Sequence, residues 1–282
     1  MTVLSSLTRT MHRAAGRTAA LLPSLFLAVP LAAGAVHGAN AWEMRVCADP
    51  DRLPFSRADG GGYENRIAEI IAKELGAELT YVWFPASEAM VQDYLRTGEC
   101  DIVMGVPDGH DGLASTLAYM RSPFVFLQRS DRPWRVEMFD DPRLKDLRIG
   151  IQPPGGPTHD ALVQRGLAAQ IIEMYDYELL TAVADVENDV IDIAVLWGPV
   201  AGYYANKQEI PLVAMAVTPE FEPPFTPMFL NMVMAARRGD ESLRDLIDVA
   251  IVQRWDDIQA VLQEFDLPLM FLAQPMLTIG GN

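Results

Sequence analysis

The sequence predicts an α/β protein built as a two-lobed clamshell, each lobe a mainly parallel sheet flanked by helices. Three observations point there. The order strand, helix, strand, helix, strand occurs twice along the chain. Its strands are continuous apolar runs rather than alternating ones, as parallel sheets covered on both faces require. Two extended apolar segments, 122–131 and 225–240, run between the two units, one in each direction.

The first 41 residues stand apart. Arg9, Arg13 and Arg17 make a basic start, and no acid appears before Glu43. Ala19 to Val36 is apolar but broken by Pro23 and Pro30, and Ala39-Asn40-Ala41 fits an A-x-A cleavage site before Trp42. Residues 1–41 read as a secretory signal peptide, with an uncleaved anchor as the alternative. No other stretch is long and apolar enough to span a bilayer.

In the first unit, "MRVCA" is a strand. Glu64 to Leu75 is a helix with Ile67, Ile70, Ile71 and Leu75 on one face. "LTYVWF" is the second strand, Ser87 an N-cap for a helix carrying Met90, Val91, Tyr94 and Leu95, and "CDIVMGVP" the third strand. The second unit repeats the order: "LRIGIQ", a helix from Thr158 to Arg165, "IIEMY", a helix from Glu178 to about Glu187, and "IDIAVLWGP". The two closing strands match in character: an acid, a buried run, then a Gly and a Pro at the strand's end. Asp240 caps a helical tail with Leu243, Leu246, Ile247, Ala250 and Ile251 on one side. The predicted organisation is lobe 1 over 42–126, lobe 2 over 127–228, and a returning crossover with helical segment over 229–282 that packs on lobe 1. Two sequential domains fit less well, because the last segment holds no third strand–helix–strand unit.

Half of the 282 residues are hydrophobic and 21% are charged, the balance of a packed globular protein. Cleavage of the leader removes three arginines and no acid, taking the net charge from −16 to −19. Such a surface repels nucleic acid and anionic membrane. It suits a basic protein partner or plain solubility. The two cysteines, Cys47 and Cys100, both lie in the exported part, each at the start of a predicted strand. An even count in an oxidising compartment favours a disulfide between them, two buried thiols being the alternative. C-x-x-C is absent. His110 and His159 are far apart in sequence, and Asp49, Asp51 and Asp59 lack EF-hand spacing. No metal and no cofactor are predicted.

"RVCADPDRLPFS" followed by "GGGYENRIAEIIAKELGAELTYVWF" resembles the type II periplasmic solute-binding proteins, which serve amino-acid ABC importers. The resemblance spans about residues 43–265. It implies the periplasm, the two-lobed fold, and a cleft rimmed by the Pro-Phe pair and by Gly62-Tyr63. Two departures argue against an amino-acid ligand. The family's carboxylate-binding Arg, in a Thr-x-x-Arg context, has no match in "GHDGLASTLAYMRSPF" before Arg121. Its ammonium-binding Asp is replaced by Trp197. Losing both anchors removes charge-assisted bonds of roughly 1.5–3 kcal/mol each.

"RVCADPDRLPFS", "GECDIVMGVP", "LRIGIQ" and "VLWGPVAGYYA" together resemble one subfamily, the J proteins of methanol dehydrogenase gene clusters (MxaJ/XoxJ type). That resemblance implies a non-catalytic periplasmic accessory of PQQ-dependent methanol dehydrogenase, assisting its maturation or activation. The alternative is the substrate-binding protein of an ABC importer for a small molecule that is not an amino acid.

Candidate cleft residues for a ligand or partner follow. Asp49, Leu53, Phe55 and Tyr63 lie on the first lobe's edge, Trp83 and Phe84 end its second strand, Val106 and Pro107 complete the wall, and Tyr119 and Arg121 stand near the hinge. From the second lobe, Gly155, Gly156 and Thr158 precede a helix whose free N–H groups suit an anion, although Pro153, Pro154 and Pro157 supply none. Trp197 and Tyr203 face them. For each aromatic, core packing is the competing role. As acid–base groups only Asp49, Glu64 and His159 fall near the cleft, with no visible pairing, and G-x-S-x-G and G-x-G-x-x-G are both absent.

Overall fold

The computed structural model describes residues 42–84, 88–109, 112–151, 155–174, 179–205 and 207–277. The predicted leader lies outside them, as do Ser87, His110, Pro153 and Pro154.

The first half comprises β1 (Glu43–Ala48), the short strands β2 (Asp51–Arg52) and β3 (Ser56–Arg57), α1 (Tyr63–Leu75), β4 (Glu78–Trp83), α2 (Glu88–Thr97) and β5 (Ile102–Pro107). β6 (Leu113–Ser115) and β7 (Met120–Arg129) lead out of it. The second half holds β8 (Ile149–Ile151), α3 (Gly156–Gln164), β9 (Ile171–Glu173), α4 (Leu179–Glu187), β10 (Ile193–Trp197), α5 (Gly198–Ala205) and β11 (Leu212–Ala216). A ribbon of β12 (Phe221–Glu222) and β13 (Thr226–Pro227) precedes β14 (Phe229–Arg237), and α6 (Glu241–Gln253) and α7 (Trp255–Glu264) close the chain.

The repeat read from the sequence is a repeat of topology. β1 lies between β4 and β5, all parallel, and β8 lies between β9 and β10, again all parallel. The long strands then join the halves. β7 pairs with β14 over Met120–Pro123 and with β10 over Phe124–Leu127. β14 continues along β5 with its later residues, Met232 to Ala236. A single mixed sheet results, in the order β4-β1-β5-β14-β7-β10-β8-β9. Helices cover both faces of it, and each half has two buried clusters, one per face.

Helix α1 shows how the sequence sets an element. Ile67, Ala68, Ile71 and Ala72 recur at helical spacing and are buried. Gly76 ends it at φ 64°, and its N–H reaches the carbonyls of Ala72 and Lys73. An ion pair from Arg66 to Glu264 ties α1 to α7.

Four expectations change. Gly105 and Pro107 stay inside β5, whereas Gly198 and Pro199 open α5, so the two closing strands end differently. Proline suits the first turn of a helix, where its missing N–H is not needed. Asp240 precedes α6, but its carboxylate turns to Arg237 at 3.6 Å instead of capping the helix. The helical tail is two helices broken at Arg254, and Leu246 faces solvent. Cys47 lies near the end of β1, not its start.

Cys47 and Cys100 are bonded, with Cα atoms 5.5 Å apart, and both are buried among Phe84, Leu95 and Val103. The bond closes a loop of 53 residues. Replacing both cysteines by serine is expected to lower stability by about 4 kcal/mol in the chain-entropy account. Urea unfolding of the exported protein measures this as a lower midpoint, with a steeper slope because the unfolded chain without the bond is less compact.

Candidate functional site

The junction between the halves is built on the rim 49–57. Asp49 accepts the Asp51 N–H at 2.9 Å, and the Ser56 hydroxyl donates to the Asp49 carbonyl at 2.8 Å. β2 and β3 pair as Asp51↔Arg57 and Arg52↔Ser56. The rim then lies across the start of α1: the Tyr63 N–H donates to the Pro54 carbonyl and the Glu64 N–H to that of Phe55, both at 2.9 Å. Asn65 closes the corner, its Oδ1 accepting from Gly62 and Arg57. A side chain at Gly62 would strike the Phe55 carbonyl, so glycine is what lets the rim and helix touch. The first N–H groups of α1 are thereby used internally rather than offered to an anion.

From the second half, β10 runs straight into α5. The Phe55 ring stacks on Trp197, centroids 5.8 Å apart and planes 12° from parallel. The Tyr204 hydroxyl donates to the Leu53 carbonyl at 3.0 Å. Trp197 Nε1 reaches the Ser122 carbonyl at 3.4 Å, and the Ser122 hydroxyl donates to the Pro268 carbonyl. Pro268 lies against Gly198 and Gly202, one turn apart on α5, where any Cβ would collide with it or with Ser122. The chain after α7 thus crosses the junction and touches both halves.

A cavity of about 50 Å³ remains beside this contact, lined by Asp49, Arg52, Phe55, Ser56, Glu64 and Phe84 together with Cys47, Ala48 and Val103. It has room for a few waters and falls well short of the roughly 300 Å³ of a small-molecule site. The Glu64 carboxylate occupies the space over Gly105, whose φ is 63° and where a Cβ would collide with it. Burial pushes the Glu64 carboxyl up from 4.5 to about 7, and the nearby Arg52 charge offsets this in part. Tyr63 and Tyr119 lie fully buried behind it, and among the described residues neither hydroxyl has a hydrogen-bond partner. Burial, with Glu64's charge adding to it, holds both phenols well above their usual range. A larger open groove, about 480 Å³, lies away from the junction beside Trp42, Arg45, Asp101 and Leu246.

Of the predicted residues, the structure brings Asp49, Leu53, Phe55 and Trp197 to the junction. Phe84 faces the small cavity and stacks on Tyr94 at 4.5 Å. Tyr63 is core beneath Phe55, and Tyr203 packs on Phe265 with Lys207 over its ring. Trp83 stacks on Tyr81, and Pro107 is exposed opposite Met232. Arg121 donates to Asn231 at 2.7 Å and lies 4.7 Å over Phe229. Gly156 and Thr158 sit in the first turn of α3, with Thr158 buried. His159 faces Asp160 and Glu173. Among the described residues no three His, Cys, Asp or Glu side chains gather as a metal site would need. Sequence reasoning passed over Arg52, Ser122, Tyr204 and Pro268. A signal existed for the last: Gly198-x-x-x-Gly202 marks a groove on one helix face.

Two repeated α/β halves, joined through the long strand β7 with β14 returning beside it and meeting through loops at their strand ends, define the periplasmic binding protein class. Comparison with known proteins agrees. The chain is 32% identical to the crystal structure of the periplasmic binding protein XoxJ from Methylobacterium extorquens AM1, covering 81% of this chain and all of that one, with a TM-score of 0.66. The crystal structure of MxaJ from Methlophaga aminisulfidivorans MPT matches at 26% identity, 80% and 100% coverage and a TM-score of 0.68. Protein MoxJ of Methylorubrum extorquens is 28% identical over 251 residues, 82% of this chain and 83% of that one. No protein-family model matches. The chain belongs to the XoxJ and MxaJ family of periplasmic binding proteins.

Two outcomes follow from the junction. A carboxyl held at about 7 in the fold and near 4.5 unfolded binds its proton more tightly when folded. Its contribution is full below about 4.5 and is lost as pH rises through about 7. Glu64→Gln is therefore expected to match wild type in acid and to gain on it with rising pH, by on the order of 3 kcal/mol at most. Urea midpoints from pH 4.5 to 8 read this out; parallel curves would refute the assignment. For the stack, a double-mutant cycle on Phe55→Leu and Trp197→Leu is expected to give a coupling of about 1 kcal/mol.

Proposed function

We propose that this protein is a non-catalytic periplasmic accessory of a PQQ-dependent methanol dehydrogenase, assisting the enzyme's maturation or activation. The observation that carries the reading is the junction itself. Where a solute receptor keeps a chamber, this chain stacks Phe55 on Trp197 and leaves a cavity of about 50 Å³. Both ionic anchors of an amino-acid receptor are missing from the sequence, and Trp197 at the second one's place is part of the stack. Resemblance to XoxJ, MxaJ and MoxJ, and the joint occurrence of Cys47, Cys100 and Trp-Gly-Pro, support the same function. In this reading Asp49, Leu53, Phe55, Trp197 and Tyr204 serve the contact between lobes delimited at 126/127 and 228/229, and Tyr203 packs behind them on Phe265. The leader directs export to the periplasm, where an acidic surface of net charge −16 or below draws a basic partner.

The test is biolayer interferometry with protein purified from a bacterial periplasm and PQQ methanol dehydrogenase, at two salt concentrations. Saturable binding of micromolar affinity or better, weaker at higher salt, is expected. Absence of binding at high protein concentration rejects the reading. A small molecule retained in native mass spectrometry would instead favour the importer alternative.

A further inference from the structure

The β12–β13 ribbon carries the feature that the junction does not explain. It pairs as Phe221↔Pro227 and Glu222↔Thr226, and its turn holds Phe225 at 88% exposure. Phe221 beside it is half exposed. Single exposed apolar residues are ordinary, but the turn that carries this one is braced. Pro219, Pro223, Pro224 and Pro227 each fix φ around it. The ribbon's base is pinned from three sides. The buried Glu222 carboxylate accepts from Arg165 at 2.7 Å, the Met228 N–H donates to the Glu220 carbonyl at 2.8 Å, and the Thr218 N–H donates to the Glu137 carbonyl at 2.7 Å. Phe221 meets Phe229 edge-on at 5.4 Å. A ring carried on a turn whose backbone is braced this way demands little backbone ordering on binding, a property of an interface anchor.

Charge indicates what receives it. Glu137, Glu220, Glu222 and Asp140 lie at the ribbon's base against two guanidiniums, Arg165 shared between Glu222 and Asp140 and Arg121 over the Phe229 ring that Phe221 meets. The base of the knob is therefore negative. We infer that the Phe225 ribbon is the docking element of this protein, its ring entering an apolar pocket on a folded protein whose rim is basic. The inference rests on the accessory reading above and adds the surface that does the engaging, away from the junction of the lobes. Phe271 and Met276, also highly exposed, lie on the extended segment after α7 rather than on a strand-paired turn.

The test measures binding of the full exported protein to immobilised PQQ methanol dehydrogenase, with variants compared by interferometry and thermal unfolding. Phe225→Ala is expected to weaken binding tenfold or more at an unchanged unfolding midpoint, as loss of a central aromatic anchor does. Glu220→Lys is expected to slow association and flatten its salt dependence. Phe271→Ala is expected to bind as wild type. If wild type binds and Phe225→Ala binds equally well, the docking element lies elsewhere and the accessory reading stands. If wild type does not bind, the accessory reading falls and this inference falls with it. If sedimentation shows that wild type self-associates and Phe225→Ala does not, with dehydrogenase binding unchanged, the ring meets a second copy and the inference is overturned.

Discussion

Strand β7 belongs to both halves of the sheet, and the arrangement of the rest depends on that sharing. β7 pairs with β14 through its first part and with β10 through its second, while β14 pairs with β7 and then with β5, so backbone hydrogen bonds run without a break from β4 to β9. Buried backbone groups must be paired, and a continuous sheet through the junction pairs them. The consequence is a fold whose halves are repeats in topology but are not independent. The second half's edge toward the junction is completed by a strand the first half also uses. The C-terminal helices α6 and α7 then pack back on the first half, burying Ile247, Ile251, Ile258 and Leu262 against α1.

The junction's side chains work under a second constraint, close backbone approach at glycine. Gly62 lets the rim lie on α1, Gly105 makes room for Glu64, and Gly198 and Gly202 accept Pro268. At each of these points a methyl group would force chain or carboxylate apart. The rim consequently has few ways to move independently of α1, since Pro54, Phe55 and Asn65 are all tied to the helix's first turn. Phe55 is aimed at Trp197 by backbone bonds several residues away from its own ring. The unusual proton affinity of Glu64 has the same origin: a carboxylate placed where no hydrogen bond reaches it among the described residues and where burial penalises its charge.

Much of this was legible in the sequence. The doubled strand–helix order predicted the doubled parallel unit, and the apolar character of "CDIVMGVP" and "IDIAVLWGP" predicted strands covered on both faces. The cysteines were legible from count and compartment. What escaped prediction shares one physical cause: it depends on contacts between distant segments. Helix α5 has apolar and small residues all round, so no periodicity announces it. β11 takes its place from β7, not from its own pattern. Tyr204 was indistinguishable from Tyr203 until the helix's phase placed one hydroxyl on Leu53 and the other ring on Phe265. Arg52 and Ser56 were visible in "DPDRLPFS", but only the fold of the rim turns them toward a cavity.

These contacts bear on how such a fold is used. A ligand shifts a two-state clamshell only by its differential affinity for the two states. Here the closed arrangement holds itself with an aromatic stack, the Tyr204 bond and a proline crossing to both halves. A solute entering the junction would have to displace the stack and make up for it within a space sized for a few waters. A protein partner faces no such cost if it binds outside the junction, because the surface it meets is already formed and already charged. The junction is filled by its own side chains, and a partner that binds outside it leaves the stack and the Tyr204 bond in place.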